Sequence, residues 1–318
     1  MDIESHTKVL VTGGAGFIGS HLVDRLIDKG YETVVVDNLY SGKADHINKL
    51  AKFYKADITD LLQISRVFER EKPQVVAHYA AQTSVTSSIR DPSFDATVNI
   101  VGSLNVFEAA KKFKVRRMVL ASTGGAIYGD PQKLPCQEDD PVNPLAPYGI
   151  SKLTMEHFSN SYQPYDFSVI ILRLGNVYGP RQDPEGEAGV IAIFAGRMLS
   201  GSDVVVYGNG EQQRDFIYVG DVVEASMKAL FSEEGGVYNI AGDSGVSVNT
   251  IVERLRNMVN WEGEVFYNPV RQGEVFRIFL SSAKALNILG WEAVVSLDQG
   301  LQKTVEYLQT IKFDAGKF

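Results

Sequence analysis

A tyrosine and a lysine, Tyr148 and Lys152, stand four residues apart in the segment that begins at Pro147. Proline favours the first turn of a helix and residues four apart share a helix face, so both side chains should project in one direction. A neighbouring ammonium lowers the pKa of a phenol from its usual value of about 10, which would let Tyr148 act as a general base near neutral pH. At a random site such a pair is more often a buried ring beside a solvated lysine; here an adjoining nucleotide-binding pattern favours catalysis.

That adjoining pattern is a series of glycines three residues apart, placed after an apolar run and before a helical pattern. Glycine permits a tight turn there, and the helix that follows presents unpaired N–H groups and its positive dipole end to a pyrophosphate. The alternative is that the glycines only make a sharp turn between strand and helix. We expect these residues to bind a dinucleotide: Gly13, Gly16, Phe17, Ile18 and Gly19.

The next apolar run ends in Asp37, eighteen residues after Gly19. A carboxylate at this place can accept both ribose hydroxyls of an adenosine and would repel a 2′-phosphate, which predicts NAD rather than NADP as the cofactor. The alternative is that Asp37 only caps the loop that follows it. The loop residues Asn38, Ser41 and Gly42 belong to the same predicted site.

Further candidates stand where later strands are expected to end, because an open parallel sheet binds its ligand at the carboxyl ends of its strands. Asp57 and Ile58 follow the third apolar run, and Ala80 and Ala81 follow the fourth. Asp57 could face the adenine, or it could cap the helix beyond it. All four are predicted to contact the cofactor.

Two hydroxyl residues, Ser122 and Thr123, end the fifth run at the same predicted edge. One of them could hydrogen-bond the substrate oxygen whose proton Tyr148 removes. Ser122 and Asn99 also belong to the predicted cofactor-binding set, together with Tyr148 and Lys152.

An α/β fold with a doubly wound parallel sheet is needed to position these residues. The first half of the chain alternates short β-branched runs with helical patterns, which is how strands joined by crossover helices read. The predicted strands are 8–12, 33–37, 52–56, 74–78, 117–122 and 168–173, and the predicted helices begin near Phe17, Lys43, Asp60, Pro92 and Pro147.

After Arg173 the pattern changes to a smaller, mostly α lobe, with predicted helices at 190–200, 247–259 and 281–289. A helix at 221–231 followed by a strand at 237–240 indicates a return to the main sheet. We therefore predict a cofactor-binding Rossmann domain of residues 1–173 plus about 217–240. A substrate-binding lobe would comprise about 174–216 plus 241–318.

Composition and charge exclude several classes of function. The net charge of −8 is spread along the chain and argues against a nucleic-acid partner, which would require a basic face. No apolar stretch approaches the roughly 20 residues of a membrane span, and the N-terminal segment lacks a signal pattern, so we expect a cytoplasmic protein without a membrane partner. The single cysteine, Cys136, has no partner at ligand spacing, and we expect a loop thiol without a catalytic or metal-binding role.

The motifs resemble those of the extended short-chain dehydrogenase/reductases, and within them the UDP-glucose (UDP-galactose) 4-epimerases. The resemblance covers essentially the whole chain. It rests on Thr-Gly-Gly-Ala-Gly-Phe-Ile-Gly-Ser from Thr12, Tyr148 with Lys152, Asn-Val-Tyr-Gly-Pro-Arg from Asn176, Arg-Asp-Phe-Ile-Tyr-Val-Gly-Asp from Arg214, and Ser-Thr-Gly-Gly-Ala-Ile-Tyr-Gly from Ser122.

This resemblance implies bound NAD, a UDP-hexose substrate and a homodimer formed through helices near 92–112 and 147–162. It further implies that Asn176, Arg214 and Arg271 approach the UDP diphosphate and that Glu274 holds the uridine ribose. Arg214 and Arg271 could instead be surface ion-pair residues. Thr123 is the favoured hydroxyl for the sugar, although it stands five residues before Tyr128, where the family pattern has four.

The reaction implied is inversion at C4 through a transient 4-keto sugar. Each alternative function would require a particular sequence difference from this chain. Related dehydratases and decarboxylases resemble this chain except for an acid after the threonine, where this chain has Gly124, Gly125 and Ala126. A non-catalytic NAD-sensing protein would lack Tyr148 and Lys152. N-acetylhexosamine and uronate substrates stay open, and the family alignment places Ile278 near the position that limits the size of the sugar.

Overall fold

The computed structural model describes residues 7–162, 167–186, 189–271 and 275–311. Its main feature is a seven-stranded parallel sheet with the strand order β11-β6-β5-β4-β1-β2-β3. The strands, in chain order, are β1 (Lys8–Thr12), β2 (Glu32–Asp37), β3 (Lys52–Lys55), β4 (Val75–His78), β5 (Arg117–Thr123), β6 (Ser168–Leu174), β7 (Asn176–Tyr178), β8 (Val204–Tyr207), β9 (Gln213–Arg214), β10 (Phe216–Tyr218), β11 (Gly236–Ile240), β12 (Val246–Ser247) and β13 (Val265–Asn268).

Helices cover both faces of the sheet, which explains why its central strands are apolar on both sides. Val9 and Val11 belong to the core on one face, while Leu10 belongs to the core on the other. The helices are α1 (Phe17–Asp28), α2 (Leu61–Glu71), α3 (Val85–Arg90), α4 (Pro92–Ala96), α5 (Ser103–Lys112), α6 (Gly124–Ile127), α7 (Pro147–Asn160), α8 (Val190–Leu199), α9 (Val219–Phe231), α10 (Val248–Val259) and α11 (Leu297–Gln309).

The predicted doubly wound sheet is confirmed, and each of its predicted strands ends within two residues of the expected position. The order of the strands reverses between β1 and β4: β2 and β3 lie beyond β1, and β5, β6 and β11 lie beyond β4 on the opposite side. At such a reversal the crossover helices leave on opposite faces, so a crevice opens at the carboxyl ends of the strands. The ligand site is expected in this crevice.

The helix predictions were less complete. The helix predicted near Lys43 is only a 3₁₀ turn, Ala44–His46. The one predicted near Pro92 passes from α4 through a π-helical segment, Thr97–Gly102, into α5. The predicted 281–289 helix is largely a second π-helical segment, Ala285–Leu289, and α3, α6 and α11 were missed.

The second half of the chain builds a separate core from α8, α10 and α11 over short strand pairs. Between these parts the chain returns to the main sheet, where β11 pairs in parallel with β6. The two distinct cores support the proposed division into two lobes that interleave in sequence. No helix in the described part of the chain is long and apolar enough to cross a membrane.

Candidate active site

One large cavity of about 1510 Å³ lies at the carboxyl ends of the strands. Its lining runs from the turn after β1 across the ends of β4 and β5 to α8 and β9 of the second lobe. A pocket for one drug-sized ligand usually encloses about 300–1,000 Å³. The cavity therefore has room for more than one small molecule.

The glycine-rich turn is shaped by contacts that exclude any side chain. Gly13 has φ of +70°, and a Cβ built on it would lie 2.6 Å from the backbone nitrogen of Ala80. A Cβ on Gly19 would lie 2.2 Å from the carbonyl oxygen of Gly13. The turn brings the first residues of α1, Phe17 and Ile18, to the cavity wall, where their N–H groups have no partner within the helix. Such a helix N-terminus suits a pyrophosphate.

Asp37 ends β2 on the cavity wall with its carboxylate held by the backbone. Its Oδ2 accepts a hydrogen bond from the N–H of Ala15 at 3.0 Å, and its Oδ1 accepts one from Leu39 at 2.8 Å. A carboxylate oxygen has two acceptor positions, so each still has capacity for a ribose hydroxyl. The geometry thus supports the predicted role and adds a loop-fixing one.

Asp57 lies nearby on the same wall and does not cap α2. The cap is Asp60, whose side chain accepts from the N–H groups of Leu62 and Gln63. Asp57 instead accepts hydrogen bonds from Asn38 at 2.7 Å and from Thr59. Partial burial raises the pKa of the Asp57 carboxyl, but these hydrogen bonds outweigh it and the pKa is lowered. The arrangement favours the adenosine-facing role over the capping one.

Tyr148 and Lys152 are placed one turn apart by α7, which starts with Pro147 in its first turn. The half-buried Tyr148 ring lines the cavity, whereas Lys152 is buried behind it with its Nζ 6.0 Å from the ring centroid. The lysine donates a hydrogen bond to the carbonyl of Ala121 at 3.0 Å. Burial lowers the pKa of Lys152 to about 8 and raises that of Tyr148 to about 12, although a hydrogen bond with Thr123 works against the latter.

The structure separates the roles of the two candidate hydroxyls. Ser122 donates its hydroxyl to the buried carboxylate of Glu156, which Arg173 binds at 2.8 Å. Thr123 ends β5 on the cavity wall and shares a hydrogen bond with Tyr148. The geometry therefore favours Thr123 as the substrate-facing hydroxyl.

The two glycines after Thr123, Gly124 and Gly125, are closely packed against neighbouring residues and place no side chain on the cavity wall. A Cβ on Gly124 would lie 2.2 Å from a methyl group of Leu280, and one on Gly125 would lie 3.2 Å from Oδ1 of Asn176. That Oδ1 is buried without a hydrogen-bond partner in the described structure. The Asn176 amide faces the cavity, where a rotation of the group would present its NH₂ to an anion.

Two of the cationic side chains on the second-lobe side of the cavity are the predicted diphosphate ligands Arg214 and Arg271. The Arg214 guanidinium donates to the carbonyls of Gln213 and Phe276, and that of Arg271 stacks on the Tyr207 ring at 3.8 Å from its centroid. Both side chains line the cavity, and a guanidinium, which carries five N–H groups, can donate to several acceptors at once. Glu274, the predicted uridine-ribose ligand, lies outside the described residues.

Three residues predicted to bind the cofactor do not line the cavity: Gly42, Asn99 and Lys152. Asn99 is buried behind the wall, where its side chain donates to Asp95 and to the carbonyl of Gln82 and accepts from the N–H of Gln82. It holds the cavity residue Gln82 in place. Gly42 packs against Asp37, since a Cβ there would lie 2.9 Å from Oδ1.

Several cavity residues had no predicted role, although the first of them, Arg181, ends the motif that begins at Asn176. Arg181 reaches the cavity with a positive φ of 67° and binds Asp24 of α1 at 2.7 Å. Arg197 and Gln212 also line the cavity from the second lobe, and no motif marks them. Ile278 is buried in a small core instead of lining the cavity, and Val275 lines it.

Cys136 is a buried core residue, not the loop thiol that we expected. Burial raises the pKa of its thiol to about 11, so it is poorly reactive at neutral pH. In the described ranges, no cluster of three His, Cys, Asp or Glu side chains is arranged to hold a metal ion.

Comparisons with known proteins agree with this geometry. The family model for the NAD dependent epimerase/dehydratase family matches residues 9–241. A crystal structure of UDP-glucose 4-epimerase from Thermotoga maritima with UDP-glucose is 45% identical, covers 96% of this chain and 99% of its own, and superposes with a TM-score of 0.94. The Thermus thermophilus UDP-glucose 4-epimerase complex with NAD is 42% identical over 95% of this chain and 99% of its own, with a TM-score of 0.92. A putative UDP-glucose 4-epimerase of Methanocaldococcus jannaschii is 42% identical over 95% of this chain and 98% of its length.

Proposed function

The chain belongs to the NAD-dependent epimerase/dehydratase family, and we propose that it interconverts UDP-glucose and UDP-galactose by inversion at C4. One observation carries the proposal. Tyr148 and Thr123, whose side chains interact so that the pKa of the phenol is lowered, lie on the wall of a cavity that has a glycine-rich helix start at one end and arginines at the other. A general base thus lies between the places that suit a dinucleotide and a nucleotide diphosphate.

NAD is the cofactor of this enzyme, and the residues at the first end of the cavity fit it. Gly13 and Gly19 leave no room for a side chain, and Asp37 and the start of α1 offer a carboxylate and unpaired N–H groups. When bound at these residues, NAD would supply a hydride acceptor for oxidation of the sugar carbon and, once reduced, a hydride donor for reduction of the ketone. The repulsion of a 2′-phosphate by Asp37 favours NAD over NADP.

Tyr148 would remove the proton from the C4 hydroxyl and later return it. Burial raises the pKa of its phenol to about 12, so positive charge is needed to make it a base near neutral pH. The Lys152 ammonium 6.0 Å from the ring centroid provides one such charge, and the nicotinamide ring of NAD⁺ brings another. Thr123 would orient the sugar oxygen by its hydroxyl.

Inversion requires a firmly held nucleotide and a loosely held hexose, since the ketone has to present its opposite face. Arg214, Arg271 and Asn176 would hold the diphosphate through charge-assisted and amide hydrogen bonds. The wall beside Thr123 consists of Gly124 and Gly125, which offer no side chain to grip the sugar.

The same wall distinguishes the proposal from elimination and decarboxylation. Those reactions remove a second proton or a carboxylate beside the ketone and call for an acid or base next to the threonine. Gly124 and Gly125 stand there in this chain. An N-acetylated or uronic sugar is a second substrate candidate. The larger side chain of Ile278 is buried in a core away from the cavity, and the smaller Val275 lines the cavity.

A homodimer is the proposed assembly. Apolar side chains remain exposed on the segment before α5 and on α7, which pack against each other: Val101 is 50% exposed and Ile150 is 51% exposed. Burying them against a second copy would remove apolar surface from water. Light scattering of the wild type and of Ile150→Glu would measure the assembly. A cytoplasmic location stays a prediction from the sequence.

The decisive experiment incubates the purified protein with UDP-galactose and separates the products by chromatography. We expect UDP-glucose to form without added reductant, and Tyr148→Phe to lower the rate by a factor of about 10² to 10⁴ while NAD stays bound. Tyr267→Phe, at an exposed position outside the cavity, is the matched control and should retain activity. A 4-keto-6-deoxy product, released carbon dioxide, or no turnover would each refute the proposal.

A further inference from the structure

Asp95 is a fully buried carboxylate directly beneath the helix that carries Tyr148 and Lys152. Its Oδ2 accepts a hydrogen bond from the hydroxyl of Ser151 at 2.6 Å. Ser151 is the residue of α7 next to Lys152, so Asp95 is tied to the same turn that carries the ammonium. It does not line the cavity and therefore acts on the reaction only through other residues.

Neutral amides hold the other side of this carboxylate. Oδ1 of Asp95 accepts hydrogen bonds from Gln82 at 2.8 Å and from Asn99 at 3.0 Å. All of its described contacts are donated to it, as suits an ionised carboxylate, which only accepts. The side chain is thereby fixed in position.

A chain of hydrogen bonds between buried residues connects Asp95 to the glycine-rich turn. The backbone carbonyl of Asn99 accepts a hydrogen bond from the Ser103 hydroxyl at 2.6 Å. The same hydroxyl contacts Nε2 of His78 at 2.9 Å. Nδ1 of His78 contacts the hydroxyl of Thr12 at 2.6 Å, and Thr12 directly precedes Gly13. Asp95 thus belongs to one continuous network that joins the dinucleotide turn to the catalytic helix.

The other charged groups near Tyr148 and Lys152 are largely compensated. Glu156, one turn further along α7, is paired with Arg173 at 2.8 Å. Burial and the charge of Lys152 lower the pKa of His78 to about 3, so its imidazole is neutral. Asp95, whose partners are neutral, is the carboxylate whose charge both catalytic residues sense.

We propose that Asp95 is a positioning residue that sets the pH range of the epimerase, by keeping the proton on Lys152 and opposing its loss from Tyr148. The inference rests on the proposed function, since it assigns Tyr148 as the base. A negative charge beside an ammonium stabilises it, and beside a phenol disfavours the phenolate. The hydrogen bond from Ser151 fixes the carboxylate of Asp95 relative to α7. The negative charge of Asp95 acts on Tyr148 and Lys152 through space.

The electrostatic environment supports this inference. Burial is the main cause of the raised pKa of Tyr148; Thr123 lowers that pKa, and the charge of Asp95 raises it further. Burial is also the main cause of the lowered pKa of Lys152, and the charges of Asp95 and Glu156 oppose it. Removing the charge of Asp95 therefore lowers both values.

The test compares the pH profiles of kcat/KM for the wild type, Asp95→Asn and Ser151→Ala. The amide is nearly isosteric and removes the charge; if its oxygen stays toward Gln82 and Asn99, its NH₂ faces Ser151, whose hydroxyl can accept instead of donate. The alanine removes the hydrogen bond and leaves the charge. We expect both limbs of the Asp95→Asn profile to move to lower pH by on the order of one unit. The Ser151→Ala profile should keep its limbs even if its rate falls.

A second measurement does not depend on turnover. The phenolate absorbance of Tyr148 near 295 nm is titrated as the difference between each protein and its Tyr148→Phe counterpart, and Asp95→Asn should shift this titration to lower pH. Asp95→Ser, which is neutral and smaller, replaces Asp95→Asn if the amide prevents folding. Unmoved limbs and an unmoved phenolate titration, or an equal shift in Ser151→Ala, would overturn the inference. A wild type that fails to epimerise would instead refute the proposed function alone.

Discussion

Replacing Arg173 by methionine should be among the most destabilising single changes in this protein. The Arg173 and Glu156 side chains are only 7% and 6% exposed. The guanidinium donates to Glu156 from Nε at 3.1 Å and from Nη2 at 2.8 Å, and to the Tyr128 hydroxyl at 2.9 Å. Methionine fills similar volume but leaves the Glu156 carboxylate buried with the Ser122 hydroxyl as its one remaining side-chain donor among the described contacts. Such an uncompensated buried charge costs about 3–5 kcal/mol.

Urea unfolding followed by tryptophan fluorescence would measure this loss as a change in the free energy of unfolding. Arg254→Met is the matched control, because the Arg254–Asp298 pair is exposed and should contribute at most about 1 kcal/mol. Adding Glu156→Gln to Arg173→Met removes the stranded charge and should recover at least about 1 kcal/mol. A loss below about 1 kcal/mol for Arg173→Met, or strictly additive effects in the double variant, would show that the pair is not coupled as the structure implies.

Further predictions concern pH and substrate affinity. Because burial lowers the pKa of Lys152 to about 8, kcat/KM should fall as pH rises through about 8, and Lys152→Arg, which does not titrate there, should lack that decline in a pH-rate series. Arg214→Gln should raise KM for UDP-galactose roughly tenfold or more in steady-state kinetics, whereas Arg277→Gln, outside the cavity, should leave it unchanged. Burial lowers the pKa of His78 to about 3 in the folded protein, against about 6.5 in the unfolded chain. Between these two values only the unfolded chain binds the proton, so the free energy of unfolding falls as the pH drops below about 6.5, by about 2 kcal/mol at pH 5. Urea titrations at pH 7 and pH 5 should show this slope in the wild type but not in His78→Asn.

The sequence alone predicted the sheet and the dinucleotide turn, because both depend on local signals. The β-branched runs at Val9 and Val34 and the glycine spacing from Gly13 to Gly19 specify strand, turn and helix within a few residues. The pairing of Tyr148 with Lys152 is likewise a matter of helix periodicity. The helix predicted near Lys43 is only a 3₁₀ turn, Ala44–His46; the N–H of Lys43 is bound to the carbonyl of Ala15, a distant contact that local propensity does not register.

Only the tertiary structure decided how the hydroxyls and buried charges divide their roles. Ser122 and Thr123 are neighbours with similar chemistry and both line the cavity, but alternation along β5 directs the Ser122 hydroxyl to Glu156 and the Thr123 hydroxyl to Tyr148. Asn99 was assigned to the cofactor, yet it lies behind the wall and fixes Gln82. Asp95 carries no motif, because its contact with Ser151 joins residues 56 positions apart in the chain. Contacts at such separations depend on how helices pack on a sheet, and no local pattern of residue types encodes that.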